Sequence, residues 1–132
     1  FGSQARVIVQ PCPGLVERIE AGDLEGPLTR GLLDGFVAPL LAQGADTLVL
    51  GCTHYPFLTP LLRELAGPSV EIVESGAAVA RQLARRLAET DFSPAQGAGG
   101  ERFFSSGDPA LLAALLPRLW GAAAPVERFS AG

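Results

Sequence analysis

Short β-branched runs alternate along this chain with longer stretches in which apolar residues recur every three or four positions, and that alternation leaves few architectures open. Arg6-Val7-Ile8-Val9-Gln10 reads as a strand halted by Pro11. A loop punctuated by Gly and Pro follows. From Pro27 to Gln43, residues Leu28, Leu32, Leu33, Phe36, Val37, Leu40 and Leu41 share one face of an amphipathic helix. Pro27 suits its first turn and Gly44 its carboxyl cap, while Pro39 predicts a bend. Thr47-Leu48-Val49-Leu50 predicts a fully buried strand ending at Gly51. Helical spacing returns from Phe57 to Leu65, a strand is expected at Val70–Val73, and Ser75 has the character of a cap for a helix reaching Glu89. Residues 92–100 read as a loop, Arg102–Ser105 as a strand, Asp108–Trp120 as a helix and Val126–Phe129 as a last strand. This order predicts an α/β fold with parallel sheets flanked by helices.

Composition matters mainly for what it excludes. In 132 residues there is room for one domain or pieces of two. All ten basic residues are Arg, and Lys, Asn and Met are absent, a skew that resembles a GC-rich coding bias more than a function. Without Lys the chain can form no pyridoxal-phosphate Schiff base and no P-loop. A net charge of −4 argues against a nucleic-acid surface, and no apolar run is long enough for a membrane span. No signal peptide is visible, and a start at Phe1 without any Met predicts a piece of a longer product, or a trimmed one. Cys12, Cys52 and His54 are too few and too widely spaced for a structural zinc. One disulfide is conceivable, but the chain otherwise reads as cytoplasmic, where thiols stay reduced.

The chemistry concentrates in Leu50-Gly51-Cys52-Thr53-His54-Tyr55-Pro56. A strand runs into Gly51, presents Cys-Thr-His, and a helix is expected to start at Pro56. In parallel sheets ligands bind at the carboxyl ends of strands, where the next helix offers free N–H groups to a carboxylate. A thiol so placed, beside an imidazole, is a candidate nucleophile or proton-transfer base. The structural alternative is a small core cysteine with a surface histidine nearby.

These residues resemble the glutamate racemases of the aspartate/glutamate racemase family. The Leu50–Pro56 string is similar to the motif around that family's second catalytic cysteine. Cys12-Pro13-Gly14-Leu15-Val16-Glu17-Arg18-Ile19-Glu20-Ala21-Gly22 is similar to its C-P-x-x-V-x-x-x-E-x-G block. Val73–Ala78 and Arg102–Asp108 resemble two later landmarks, in the right order. The aspartate enzymes usually carry an acidic residue at the position of His54, so His54 points to glutamate.

The resemblance implies an isomerase that interconverts L- and D-glutamate without cofactor, by two thiols on opposite faces of the α-carbon. By the same resemblance, its expected role is to supply D-glutamate for peptidoglycan. It implies Cys52, His54 and Glu20 as catalytic residues and Thr53 and His54 as substrate-binding ones, with no metal. Glu17 and Glu25 read as solvated carboxylates, Ser75 as a helix cap and Arg102 as a surface residue. The family's Asp-Ser-Gly, Pro-Tyr-Gly and Cys-Asn-Thr strings do not occur here, and Cys12 belongs to a different block from the absent cysteine. The chain therefore resembles a second half only. Residues 1–74 are expected to form a second-lobe segment with the Cys52 site, and 75–132 to return to the first lobe. Expected partners are glutamate, the missing N-terminal half and a second copy as homodimer, with neither nucleic acid nor membrane. Another amino-acid or hydantoin racemase, or a non-catalytic remnant that binds a carboxylate or partner, remain open alternatives.

Overall fold

Two parallel ladders, each of two short strands, organise the chain in a computed structural model that describes residues 5–90 and 99–130. The backbone divides into two compact units, Phe1–Ser75 and Gly76–Gly132. The α/β class with parallel strands and flanking helices is borne out in both.

In the first unit the elements are α1 (Leu15–Glu20), α2 (Pro27–Ala42), β1 (Thr47–Val49), a 3-10 turn (Tyr55–Leu58), α3 (Thr59–Ala66) and β2 (Glu71–Val73). Pro27 opens α2, whose missing N–H costs nothing there, and Gly44 follows it at φ 84, the left-handed conformation that releases the chain towards β1. Helix α2 continues through Pro39. Strand β1 pairs in parallel with β2, Leu48 opposite Ile72. The core gathers Leu15 and Ile19 of α1, Leu33 and Val37 of α2, Leu48 of β1, and Leu58, Leu61 and Leu62 beneath the turn and α3.

The second unit holds α4 (Gly76–Ala88), β3 (Phe103–Ser105), α5 (Pro109–Leu119) and β4 (Val126–Arg128), with β3 and β4 parallel. Asp108 caps α5 by accepting a bond from the Ala110 N–H at 3.0 Å. Trp120 packs edge-on against Phe103, ring centroids 5.7 Å apart, and Arg102 pairs with Glu127 across the ladder at 2.8 Å. Helix α4 buries none of its residues.

Three expectations need correction. Arg6–Gln10 forms no strand: it pairs with no neighbour, and β-propensity without a ladder partner makes no sheet. Strand β1 is not fully buried. Leu48 is, but Val49 stands 72% exposed, because its side chain points to the opposite face of the two-stranded sheet, which nothing among the described residues covers. The stretch before Pro27 is no simple loop, since Gly14, at φ 81, turns the chain into α1. Its apolar Leu15 and Ile19, four apart, supplied a helical signal too short to stand out. Of the loop expected at 92–100, residues 92–98 lie outside the described residues.

A polar knot sets where α1 ends. Asp23 accepts a bond from the Gly26 N–H at 2.8 Å and forms an ion pair with Arg18, while the buried Thr29 hydroxyl donates to the Asp23 carbonyl at 2.9 Å. The Arg18 guanidinium holds the Asp23 carboxyl below its ordinary value of 3.8. A carboxyl depressed in the fold contributes stability above its unfolded value and loses that contribution as pH falls through the folded one. Asp23→Asn should therefore lower the melting temperature at pH 7. The gap should close as the pH is taken below 3.8, followed by thermal circular dichroism.

Candidate functional site

The site follows from how β1 ends. The Leu50 N–H donates to the Val73 carbonyl at 2.9 Å, which extends the parallel pairing one residue past β1. Gly51 then lets the chain leave the sheet, and the Tyr55 N–H closes a turn on the Cys52 carbonyl at 3.3 Å. The Phe57 N–H bonds the His54 carbonyl at 3.1 Å, and fully buried Leu58 pins the 3-10 turn into the core. Cys52 and His54 are thus held, half-buried, at the carboxyl end of a parallel strand.

Their side chains face each other. Cys52 Sγ lies 3.9 Å from His54 Nδ1, within reach of a sulfur hydrogen bond. On the far side of the ring, His54 Nε2 lies 3.2 Å from Glu20 Oε1. Glu20 is the last residue of α1, and the burial of Leu15 and Ile19 fixes that helix end beneath the ring. Three residues separated by 34 positions in sequence therefore make one chain of groups: thiol, imidazole, carboxylate. An imidazole protonated at Nε2 donates to Glu20 and turns the lone pair of Nδ1 to the sulfur. Thr53 lies between them, exposed, with neither of its backbone groups in the ladder. Among the described residues no group of three or more His, Cys, Asp and Glu side chains could hold a metal ion.

One part of the expected geometry differs. The helix foreseen at Pro56 begins as the 3-10 turn, and α3 starts only at Thr59, seven residues past Cys52. A helix dipole acts within its first turn, so the imidazole, not the dipole, is the group positioned to act on Cys52. The structure also adds Tyr55 to the site. It shares a hydrogen bond with Cys12, and its position three residues past Cys52 was the available signal. Burial pushes the Cys12 thiol above its ordinary value of 9.0; the bond to Tyr55 opposes this, and the nearby Cys52 adds to it. Burial and the same two thiols push the Tyr55 phenol up from 10.0. Both cysteines are free thiols.

No protein-family model matches the chain. A glutamate racemase of Stutzerimonas stutzeri (strain A1501) is 57% identical to it over 129 residues, which cover 98% of this chain and 48% of the relative. The crystal structure of glutamate racemase isoform RacE1 from Bacillus anthracis superposes with a TM-score of 0.84 at 25% identity, again over 98% of this chain and 48% of that one. The chain is a glutamate racemase homologue. It spans about half the length of the relatives it matches. Escherichia coli glutamate racemase, solved with L-glutamate and the activator UDP-MurNAc-ala, gives a TM-score of 0.76 at 28% identity over 98% of this chain and 50% of that one. Among the described residues of this homologue, no helix is long and apolar enough to cross a membrane.

The raised Cys12 thiol gives a direct check. Alkylation of Cys12 by iodoacetamide, followed by peptide mass spectrometry, should rise with pH to a midpoint above 9.0. Tyr55→Phe removes the hydrogen bond that favours the thiolate and should move that midpoint higher.

Proposed function

We propose that this chain carries one of the two proton-transfer thiols of a cofactor-independent glutamate racemase, with Cys52 serving one face of the α-carbon. The observation that carries this reading is the Cys52–His54–Glu20 chain at the end of β1. The likeness to glutamate racemases supports the choice of reaction and substrate.

The chemistry follows from the two ring nitrogens. His54 takes the Cys52 proton on Nδ1, and the Glu20 carboxylate stabilises the imidazolium that results. The Cys52 thiolate then removes the α-proton of one glutamate enantiomer, the electron pair passing into the planar carbanion. A thiol on the opposite face returns a proton and gives the other enantiomer; in reverse, the Cys52 thiol is the donor. That second thiol belongs to the half of the enzyme outside this chain. Thr53 binds substrate through its N–H or hydroxyl, and Glu20, which acts through His54, is a positioning residue. Residues 1–74 and 75–132 belong to different lobes of the complete enzyme. Its D-glutamate enters peptidoglycan synthesis in the cytoplasm.

Two tests follow from the need for two thiols. The 132-residue chain alone should not racemise glutamate, and turnover detected by polarimetry would contradict the reading. In an enzyme completed with the other half, Cys52→Ala should abolish racemisation and Cys52→Ser should be nearly as damaging. Wash-in of deuterium from solvent would survive for one enantiomer only. Glu20→Gln should lower kcat by about 10²- to 10⁴-fold, the usual worth of acid–base assistance, with KM little changed. Symmetrical exchange in Cys52→Ala would make Cys52 structural.

A further inference from the structure

We propose that Tyr55 is a positioning residue: its hydroxyl clasps the Cys12 thiol just ahead of α1, and so sets where Glu20, at the far end of that helix, meets His54. The inference rests on the proton-transfer reading of Cys52, His54 and Glu20 for the purpose of the clasp, and on geometry for the clasp itself. Two consecutive residues of one turn grip α1 at opposite ends. His54 Nε2 lies 3.2 Å from Glu20 Oε1, on the last residue of the helix. The Tyr55 hydroxyl donates to Cys12, two residues ahead of the cap residue Gly14. Glu17, between the two grips, is close enough to Tyr55 for its charge to act on the phenol.

Helix α1 needs such a tie. Its six residues span only about 9 Å at the usual helical rise. Gly14 supplies no side-chain cap, and the Leu15 N–H reaches the Cys12 carbonyl at a long 3.4 Å. Leu15 and Ile19 hold the helix against the core, but apolar burial is non-directional and tolerates a small slide. A slip of one residue would carry Glu20 about 1.5 Å along the axis and about 100° around it, which parts carboxylate from ring. Arg18 and Asp23 tie the helix end to the start of α2, and neither belongs to the turn that carries the imidazole. The clasp makes that connection.

Both halves of the clasp are anchored. Cys12 Sγ donates to the Gln10 carbonyl at 3.5 Å, which leaves its lone pairs for the phenol. The Tyr55 backbone is held by its N–H bond to the Cys52 carbonyl at 3.3 Å and by fully buried Leu58 three residues on. The effect reaches the sulfur through two groups. With Glu20 in register the ring donates from Nε2 and keeps Nδ1 towards Cys52 Sγ, 3.9 Å away. With Glu20 displaced, the ring loses the partner that fixes its tautomer.

His54 is the chain's single histidine, so the ring-nitrogen NMR signals of the 132-residue protein report on it alone. Tyr55→Phe should move those signals towards the ones given by Glu20→Gln. It should also slow alkylation of Cys52 by iodoacetamide at pH 7 at least about threefold, read by peptide mass spectrometry, with no further slowing when combined with Glu20→Gln. Cys12→Ala should reproduce both effects if Tyr55→Phe fails to fold, and Cys12→Ser, which keeps an acceptor for the phenol, should restore them. The Glu71 amide should stay protected from hydrogen exchange throughout, which shows β1–β2 intact. Wild-type His54 signals in Tyr55→Phe, additive losses with Glu20→Gln, a Cys12→Ser protein no better than Cys12→Ala, or a deprotected Glu71 amide would overturn the proposal. The catalytic reading is judged separately: if Glu20→Gln itself leaves Cys52 alkylation unchanged, that reading fails, while the His54 signals still decide the clasp.

Discussion

In the ladder that pairs Thr47 with Glu71 and Val49 with Val73, both strands stop at the same level, and the chain leaving β1 must turn through Gly51 and Cys52 at the rim of the sheet. Everything reactive depends on that register. A slip of one residue would exchange the faces of β1, drawing Leu48 out of the core and carrying the turn with it. The Leu50–Val73 bond resists the slip from above, and the Asp46–Glu71 bond from below. Leu58 then converts a position in the sheet into an orientation of the imidazole, because it has no exposed surface and leaves the 3-10 turn no freedom to pivot.

Glu20 reaches the same place by an independent route. Helix α1 is only six residues long, too short to persist alone, and owes its existence to the burial of Leu15 and Ile19. Its end is tied by Arg18 and Asp23 to the start of α2. The carboxylate that completes the proton chain is therefore held by packing and a polar knot, not by the sheet that holds the thiol. All three groups belong to the first unit, so the constellation does not wait on the second.

Periodicity made most of the fold legible: the long apolar face of α2, the β-branched runs of β1 and β2, and the Asp-Pro opening of α5 all speak locally. What it could not convey was pairing. Arg6–Gln10 has the composition of a strand, and Thr47–Leu50 that of a buried one, but whether a strand pairs or is covered depends on a neighbour. The same limit applied to the site. Gly51–His54 could be placed at a strand end from the order of residues alone. The approach of Glu20 to His54 Nε2, at 3.2 Å, is a tertiary fact, and only the resemblance to a known motif anticipated it. Tyr55 went unremarked because a single aromatic beside a proline carries no period.

Helix α4 has a consequence of a different kind. Val79, Leu83 and Leu87 follow one another at four-residue steps and are 62%, 58% and 39% exposed, with Arg81, Arg85 and Arg86 around them. An apolar row kept in water is tolerated at low concentration and becomes adhesive at high concentration, where rows on different molecules can cover each other. The arginines repel like faces and slow that encounter, increasingly less so as salt screens them. Ionic strength, a variable with no bearing on the thiol chemistry, would then decide how much of the protein stays in solution.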